Sequence, residues 1–233
     1  MPRGAVHRRG PPSLPPALLA ERRPLRAEEV LRMCEAGVLD PDERLELLEG
    51  ELIRVAAQGS PHGMCVARVN RWLTRGLDPD RFLVWPQSTV RMGEWSLPEP
   101  DVAVVPQRDY ALCGHPRPED LLLVVEVSDT TVQKDLLVKA PLYAREGVRE
   151  YWQVDLRDGL VRVFRGPAAK GYRRVKELRG EALLRPLCAP RLTISAAELL
   201  GSRDAGAGRP ARSRTPRRSG GAPRRRGPRA PGA

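Results

Sequence analysis

One stretch constrains the fold more than any other: Leu121-Leu-Leu-Val-Val-Glu126, an apolar run that ends in a carboxylate. A continuous apolar run of this length reads as a central strand covered on both faces. An ionised group inside such a strand must be paired, protonated or bound to a metal. A second carboxylate, Asp101, opens an earlier strand candidate, Asp101-Val-Ala-Val-Val105, which Pro106 stops. Two carboxylates so placed, with Lys139 close behind, point to a metal-dependent hydrolytic site.

The rest of the chain is punctuated accordingly. Residues 26–36 read as a short amphipathic helix closed by Gly37. Residues 44–55 read as two short strands around a Glu49-Gly50 turn. Residues 62–75 place Cys65, Val66, Val69, Trp72 and Leu73 on one helical face and Arg68, Arg71 and Arg75 on another. That arginine stripe fits two readings, a phosphate contact or a solvated outer face. Strand candidates follow at 82–91, 101–105 and 121–127. Ser128-Asp-Thr-Thr131 then supplies cap chemistry for a helix over 131–146 ended by Gly147, and Pro141 predicts a kink or a restart within it. Strands are expected at 150–156, at 160–165 after an Asp158-Gly159 turn, and at 172–178, with a last helix capped by Ser195. No regular βαβ rhythm runs through these elements. The expected class is therefore α/β in the broad (α+β) sense, a mixed β-sheet flanked by helices.

Charge divides the chain into three. The net charge is +11, but residues 1–26 hold six Arg and one Glu, and residues 202–233 hold ten Arg and one Asp. The two ends thus carry +5 and +9, which leaves −3 for the expected domain, residues 27–201. Both ends are rich in Arg, Pro, Gly and Ala, and their composition predicts disordered basic termini. Such arms serve as electrostatic contacts for nucleic acid, or they simply reflect GC-rich codons. No aromatic residue interleaves the C-terminal arginines to stack on bases. The four cysteines are far apart with no Cys-x-x-Cys pair, which argues against a zinc site or a disulfide framework and fits a cytoplasmic protein. No apolar run reaches membrane-spanning length, so no membrane partner is expected.

Mg²⁺ (or Mn²⁺) takes hard oxygen ligands, usually one or two carboxylates completed by water and substrate phosphates. Asp101 and Glu126 supply that set if their strands are neighbours. A lysine at the same place can orient the attacking water or offset phosphate charge. Lys139 lies about two helical turns past the cap, so a helix packed across the sheet can return its ammonium to the carboxylates. The competing reading pairs Lys139 with Asp135 at i,i+4.

These residues stand in an ordered series: Pro98-Glu-Pro-Asp101, His115-Pro-Arg-Pro-Glu-Asp120, Val124-Val-Glu-Val-Ser-Asp129, Asp135, Lys139, then Tyr143-Ala-Arg-Glu-Gly-Val-Arg-Glu-Tyr-Trp152. With Arg44-Leu-Glu-Leu-Leu-Glu-Gly-Glu51, Ser60-Pro-His62 and Gln87 upstream, the series resembles the Uma-type restriction endonuclease family of the PD-(D/E)xK nuclease superfamily. The resemblance implies a restriction-endonuclease-like core: a helix, a three-stranded mixed sheet, a second helix and a further strand. It implies Asp101 and Glu126 as metal ligands and Lys139 as the third catalytic residue. The superfamily places its lysine two residues after the glutamate, where this chain has Ser128, so the lysine is displaced into the next helix. Glu51, His62 and Asp135 are accessory candidates. His62 reads first as a helix N-terminal residue with no catalytic part, and Glu51 equally as a solvated hairpin residue.

The functional expectation is a Mg²⁺-dependent endonuclease that hydrolyses DNA, with a homodimer as one arrangement for cutting two strands. The alternative is a catalytically silent nuclease-fold protein that binds nucleic acid or a protein partner.

Overall fold

The computed structural model describes residues 21–40, 42–129 and 131–201. Helix α1 (Ala27–Glu35) precedes a hairpin of β1 (Leu45–Leu48) and β2 (Glu51–Arg54), and helix α2 (Ser60–Gly76) follows. Strands β3 (Phe82–Pro86) and β4 (Val102–Pro106) lead through a short helix α3 (Tyr110–Cys113) and a 3-10 turn (Pro118–Asp120) to β5 (Leu123–Ser128). A composite helix comes next: α4 (Val132–Lys134), a π-helical segment (Asp135–Lys139) and α5 (Ala140–Arg145). Strands β6 (Glu150–Asp155), β7 (Leu160–Ala168) and β8 (Gly171–Leu178), the short pair β9 (Leu183–Leu184) and β10 (Ile194–Ser195), and helix α6 (Ala196–Leu200) complete the chain.

Six strands form one mixed sheet in the order β3-β4-β5-β6-β7-β8. Only β5 and β6 run parallel, because the composite helix carries the chain back along the sheet between them. All other neighbours are antiparallel. The three strands expected before the second helix are β3, β4 and β5. They are antiparallel throughout, and the sheet becomes mixed only at β6.

Strand β5 is buried along its whole length. Val102, Val104, Leu123, Val125 and Trp152 pack beneath α2 and α6, with Trp72 stacked on Trp152 at 6.0 Å between ring centroids. Ala103, Val105, Val124, Tyr143 and Tyr151 fill the opposite face, against α5. Each fully buried valine or leucine in these two layers contributes about 1.5–3 kcal/mol. The two-residue period of β4 and β5 therefore assigns Asp101, Glu126 and Ser128 to the α5 face.

Two local features bear on the site. The hairpin turn at Glu49 and Gly50 has positive φ at both residues (51° and 84°), the signature of a type I′ turn. A Cβ on Gly50 would come within 2.5 Å of the Pro24 Cβ. That contact belongs to residues 21–26, which composition groups with the N-terminal tail. Here Leu25 N donates to Gly50 O at 2.9 Å and the Leu25 side chain joins the α1 core, so the folded part begins before residue 27. The other feature is Pro141. The helix restarts there: Ala140 N donates to Asp135 O in an i to i−5 bond, and the wide π turn accommodates a residue that lacks its own N–H.

The remaining residues of both arginine-rich tails lie outside the described residues. Among the described residues no helix is long and apolar enough to cross a membrane.

Candidate active site

A cavity of about 280 Å³ opens on the α5 side of the sheet, lined among others by Glu46, His62, Asp101, Glu126, Asp135 and Lys139. The register Val102 to Val125 puts Asp101, just ahead of β4, across from Glu126 on β5. Asp101 Oδ2 accepts from Val127 N at 2.8 Å and lies 3.1 Å from His62 Nε2, while Oδ1 accepts from Gln58 Nε2 at 3.2 Å. Gln58 is in turn held by Gln87 Nε2 at 2.9 Å. The His62 ring is 7 % exposed, and its Nδ1 has no hydrogen-bond partner among the described residues.

Glu126 Oε1 accepts from Lys139 Nζ at 2.8 Å and from Tyr143 Oη at 2.7 Å. The same ammonium donates to Glu46 Oε1 at 2.8 Å. Glu46 Oε2 accepts from Lys134 Nζ at 3.0 Å, and Glu46 Oε1 also accepts from Glu99 N at 3.1 Å. Asp135 Oδ2 turns the other way, to Ser128 Oγ at 2.7 Å and Thr131 Oγ1 at 2.9 Å. Ser128 Oγ also accepts from Gln153 Nε2 on β6 at 2.8 Å. The π segment thus separates residues spaced by four. Asp135 anchors the helix to β5, while Lys139 and Tyr143 face Glu126.

Burial and charge set the protonation states. Burial pushes the Glu126 carboxyl up to about 8; Lys139 offsets this in part, and the neighbouring Asp135, Asp101 and Glu46 add to it. Burial works against the Lys139 charge, but Glu126, Glu46 and Asp135 outweigh it and hold the ammonium above the usual lysine range. Glu46 is also penalised by burial, yet Lys139 and Lys134 bring its carboxyl below the usual range. One ammonium shared between two carboxylates cannot neutralise both. With Lys134 as well, Glu46 stays ionised, and Glu126 is the carboxyl that holds on to its proton. The His62 imidazole is raised: burial opposes its charge, but the hydrogen bond and charge of Asp101 prevail.

The cavity brings together five of the residues singled out from sequence: Asp101, Glu126, Lys139, His62 and Asp135. Glu51 does not join them; it sits beside the hairpin turn and pairs with Arg22 at 2.8 Å. The arginine stripe of α2 does not join them either. Arg68 Nη1 donates to Leu200 O at 2.9 Å at the C-terminal end of α6, and Arg71 and Arg75 are exposed away from the cavity. Sequence reasoning missed Glu46, which is 1 % exposed and holds two lysines.

Among the described residues no three His, Cys, Asp or Glu side chains form a ready metal cage. Mg²⁺ does not need one, because water and substrate phosphate complete its shell. Asp101 and Glu126 are hard oxygen donors lining one cavity, and a divalent ion there would favour the ionised form of Glu126 that burial disfavours. The donor set fits.

Comparison with known proteins bears on the family and the fold. The model of the Uma2 family, described as "putative restriction endonuclease", matches residues 27–197. No curated protein matches the chain. Among solved structures, a "putative nuclease belonging to DUF820" from Anabaena variabilis ATCC 29413 superposes with a TM-score of 0.58 at 19 % identity, covering 76 % of this chain and 98 % of that one. At that identity the likeness speaks for the fold. Family and fold together support a nuclease. The family match spans nearly all of the folded core, including every residue of the cavity, and the chain belongs to the Uma2 family.

Proposed function

We propose that the chain is a Mg²⁺-dependent endonuclease that hydrolyses DNA phosphodiester bonds. One observation carries the reading: the Lys139 ammonium is held 2.8 Å from Glu126 inside the cavity that Asp101 shares. Asp101 and Glu126 would hold the ion. Once bound, it would lower the pKa of a water and offset charge on the phosphoryl oxygens.

The protein side chains do the rest. Val127 N and Gln58 fix the Asp101 carboxylate, so its oxygens need no reorganisation when substrate arrives. Lys139 has three N–H donors and commits two, to Glu46 and Glu126. The third is available to orient the attacking water or to meet a phosphate oxygen. Tyr143 holds Glu126 from the helix side and keeps its carboxylate facing Lys139. The buried setting strengthens each of these contacts.

The test is cleavage of supercoiled plasmid by the full chain with Mg²⁺ or Mn²⁺, beside Asp101→Ala and Lys139→Ala. Nicking or linearisation by the wild type, reduced by more than about a hundredfold in both variants, is expected. If wild type and Asp101→Ala are equally inert on plasmid, linear and single-stranded DNA, the chain is a silent member of the fold.

A further inference from the structure

The folded core is acidic, yet the proposed substrate is a polyanion. The arginines of α2 do not resolve this, since none of them reaches the cavity. Besides Lys139, three cations do: Arg44, Arg54 and Lys134 line the same cavity as Asp101 and Glu126. Arg44 stands at the open end of the β1–β2 hairpin, where Val55 N donates to its carbonyl at 2.9 Å. The two-residue period puts Arg44 on the same side of the hairpin as Glu46, whose carboxylate anchors Lys139. Arg44 is exposed, and no hydrogen bond or ion pair engages its guanidinium among the described residues. Arg54, paired with Leu45 in the ladder, lines the cavity from the second hairpin strand and is held by Glu43 with Nε at 2.8 Å from Oε1. That contact leaves part of its donor fork free. Lys134 is half-buried and rests on Glu46 Oε2 at 3.0 Å, with three donors of which one is used.

We propose that Arg44, Arg54 and Lys134 form a phosphate-binding rim on the cavity, which takes the DNA backbone on either side of the bond that is cut. The inference rests on the nuclease reading and adds its substrate contacts. Guanidinium groups match phosphate oxygens in a two-pronged geometry, and an ammonium meets them as a point charge. Arg44 and Arg54 come from the hairpin and Lys134 from α4, and all three line the cavity that Asp101, His62 and Gln58 also line. A backbone phosphate bound at the rim would bring its neighbour toward the carboxylates. Glu46 joins the two functions, because its Oε1 holds the inner lysine and its Oε2 the rim lysine.

The experiment measures binding of the full chain to a labelled duplex of about 20 base pairs by fluorescence anisotropy in EDTA, across a salt series. Neutralising one side chain that pairs with a DNA phosphate lowers the slope of log K against log salt by about 0.9. Arg44→Gln, Arg54→Gln and Lys134→Gln are each expected to lower it by that amount, and the triple variant by about 2.7. Arg71→Gln and Arg75→Gln are expected to leave it unchanged. The arginine-rich tails are common to every protein in the series, so they cancel in the differences. An unchanged slope in the triple variant, an equal reduction in the Arg71 and Arg75 controls, or no measurable binding by the wild type overturns the rim. Plasmid cleavage by the same wild-type preparation separates the two ideas. Reduced slopes with an inert enzyme sink the nuclease reading and keep the rim, while cleavage with unchanged slopes sinks the rim alone.

Discussion

Lys139 Nζ reaches Glu126 Oε1 at 2.8 Å from thirteen residues further along, out of a helix and not from the glutamate's own strand. The strand position two residues after Glu126, where a lysine side chain would share its face, is Ser128. Its hydroxyl donates to Asp135 Oδ2 at 2.7 Å and so ties down the π segment that ends in Lys139. The residue beside the carboxylate has become the anchor for the element that carries the cation.

Removing that cation leaves two buried carboxylates facing each other. Lys139→Met is expected to cost about 3–5 kcal/mol of stability at pH 7, measured by urea unfolding in EDTA. The loss depends on pH with a definite sign. The folded Glu126 carboxyl lies above its ordinary value of 4.5, at about 8, so the folded state holds the proton more tightly than the unfolded chain. That contribution is present in full below 4.5 and disappears as pH rises through about 8. Loss of the ammonium pushes the carboxyl further up, so wild type and variant should lose stability in parallel up to about pH 8, and above it, where only the wild-type carboxyl ionises, the variant should fall further behind. A destabilisation that does not grow above about pH 8 contradicts the pairing.

Ser128→Ala tests the anchor. It removes a donor from Asp135 and the acceptor of Gln153 Nε2, all within a buried network. Leaving such groups underpaired costs about 1–3 kcal/mol. The plasmid-cutting rate should drop about 10–100-fold even well below the melting temperature, because Lys139 is then no longer held in place. A variant that melts early but cuts at the wild-type rate when folded would show the serine to be structural only.

Much of this site is legible in the chain. A carboxylate inside Leu121–Glu126 announces a buried functional strand, and a helix starting after Ser128–Thr131 puts Lys139 within reach of it, although the two hydroxyls bond Asp135 and cap no backbone N–H. The same logic applies to Leu45-Glu-Leu-Leu48, where Glu46 interrupts an apolar strand, yet Glu51 beside the turn is the hairpin glutamate that sequence singles out. Only the hairpin's packing against the sheet decides between them. The α2 stripe shows a different limit. Helical spacing says that Arg68, Arg71 and Arg75 share a face, but not that the end of α6 arrives to accept from Arg68. The π segment is invisible to spacing as well, since Asp135, Lys139 and Tyr143 at intervals of four read as one α-helical face.

The two glutamates of the hairpin should therefore part ways. Glu46→Gln keeps an acceptor for Glu99 N but takes a charge away from Lys139 and Lys134, at a cost of about 1–3 kcal/mol. Glu51→Gln touches only an exposed pair with Arg22 and should stay within about 0.5 kcal/mol of the wild type. Cleavage should fall in the first and hold in the second. Equal behaviour of the two in paired melting curves and plasmid assays would count against Glu46 as the support of both lysines.

Thiol chemistry supplies a check that none of these losses is mere unfolding. Cys34 and Cys113 are exposed, whereas burial pushes the Cys65 thiol up to about 12 and the Cys188 thiol up to about 11. At pH 8 only about one Cys65 in ten thousand is a thiolate, and it is shielded as well. A disulfide reagent should titrate two thiols quickly in the folded protein, the half-buried Cys188 more slowly, and Cys65 only on unfolding. Cys65 lies three residues after His62 on α2, and its Sγ donates to Leu199 O at 3.5 Å, so its protection reports the packing that holds His62 beside Asp101. In Asp101→Ala or Glu46→Gln, two fast thiols together with abolished cleavage place the defect at the cavity. A third fast thiol in either variant means that α2 has come loose, and the missing activity then says nothing about the carboxylate.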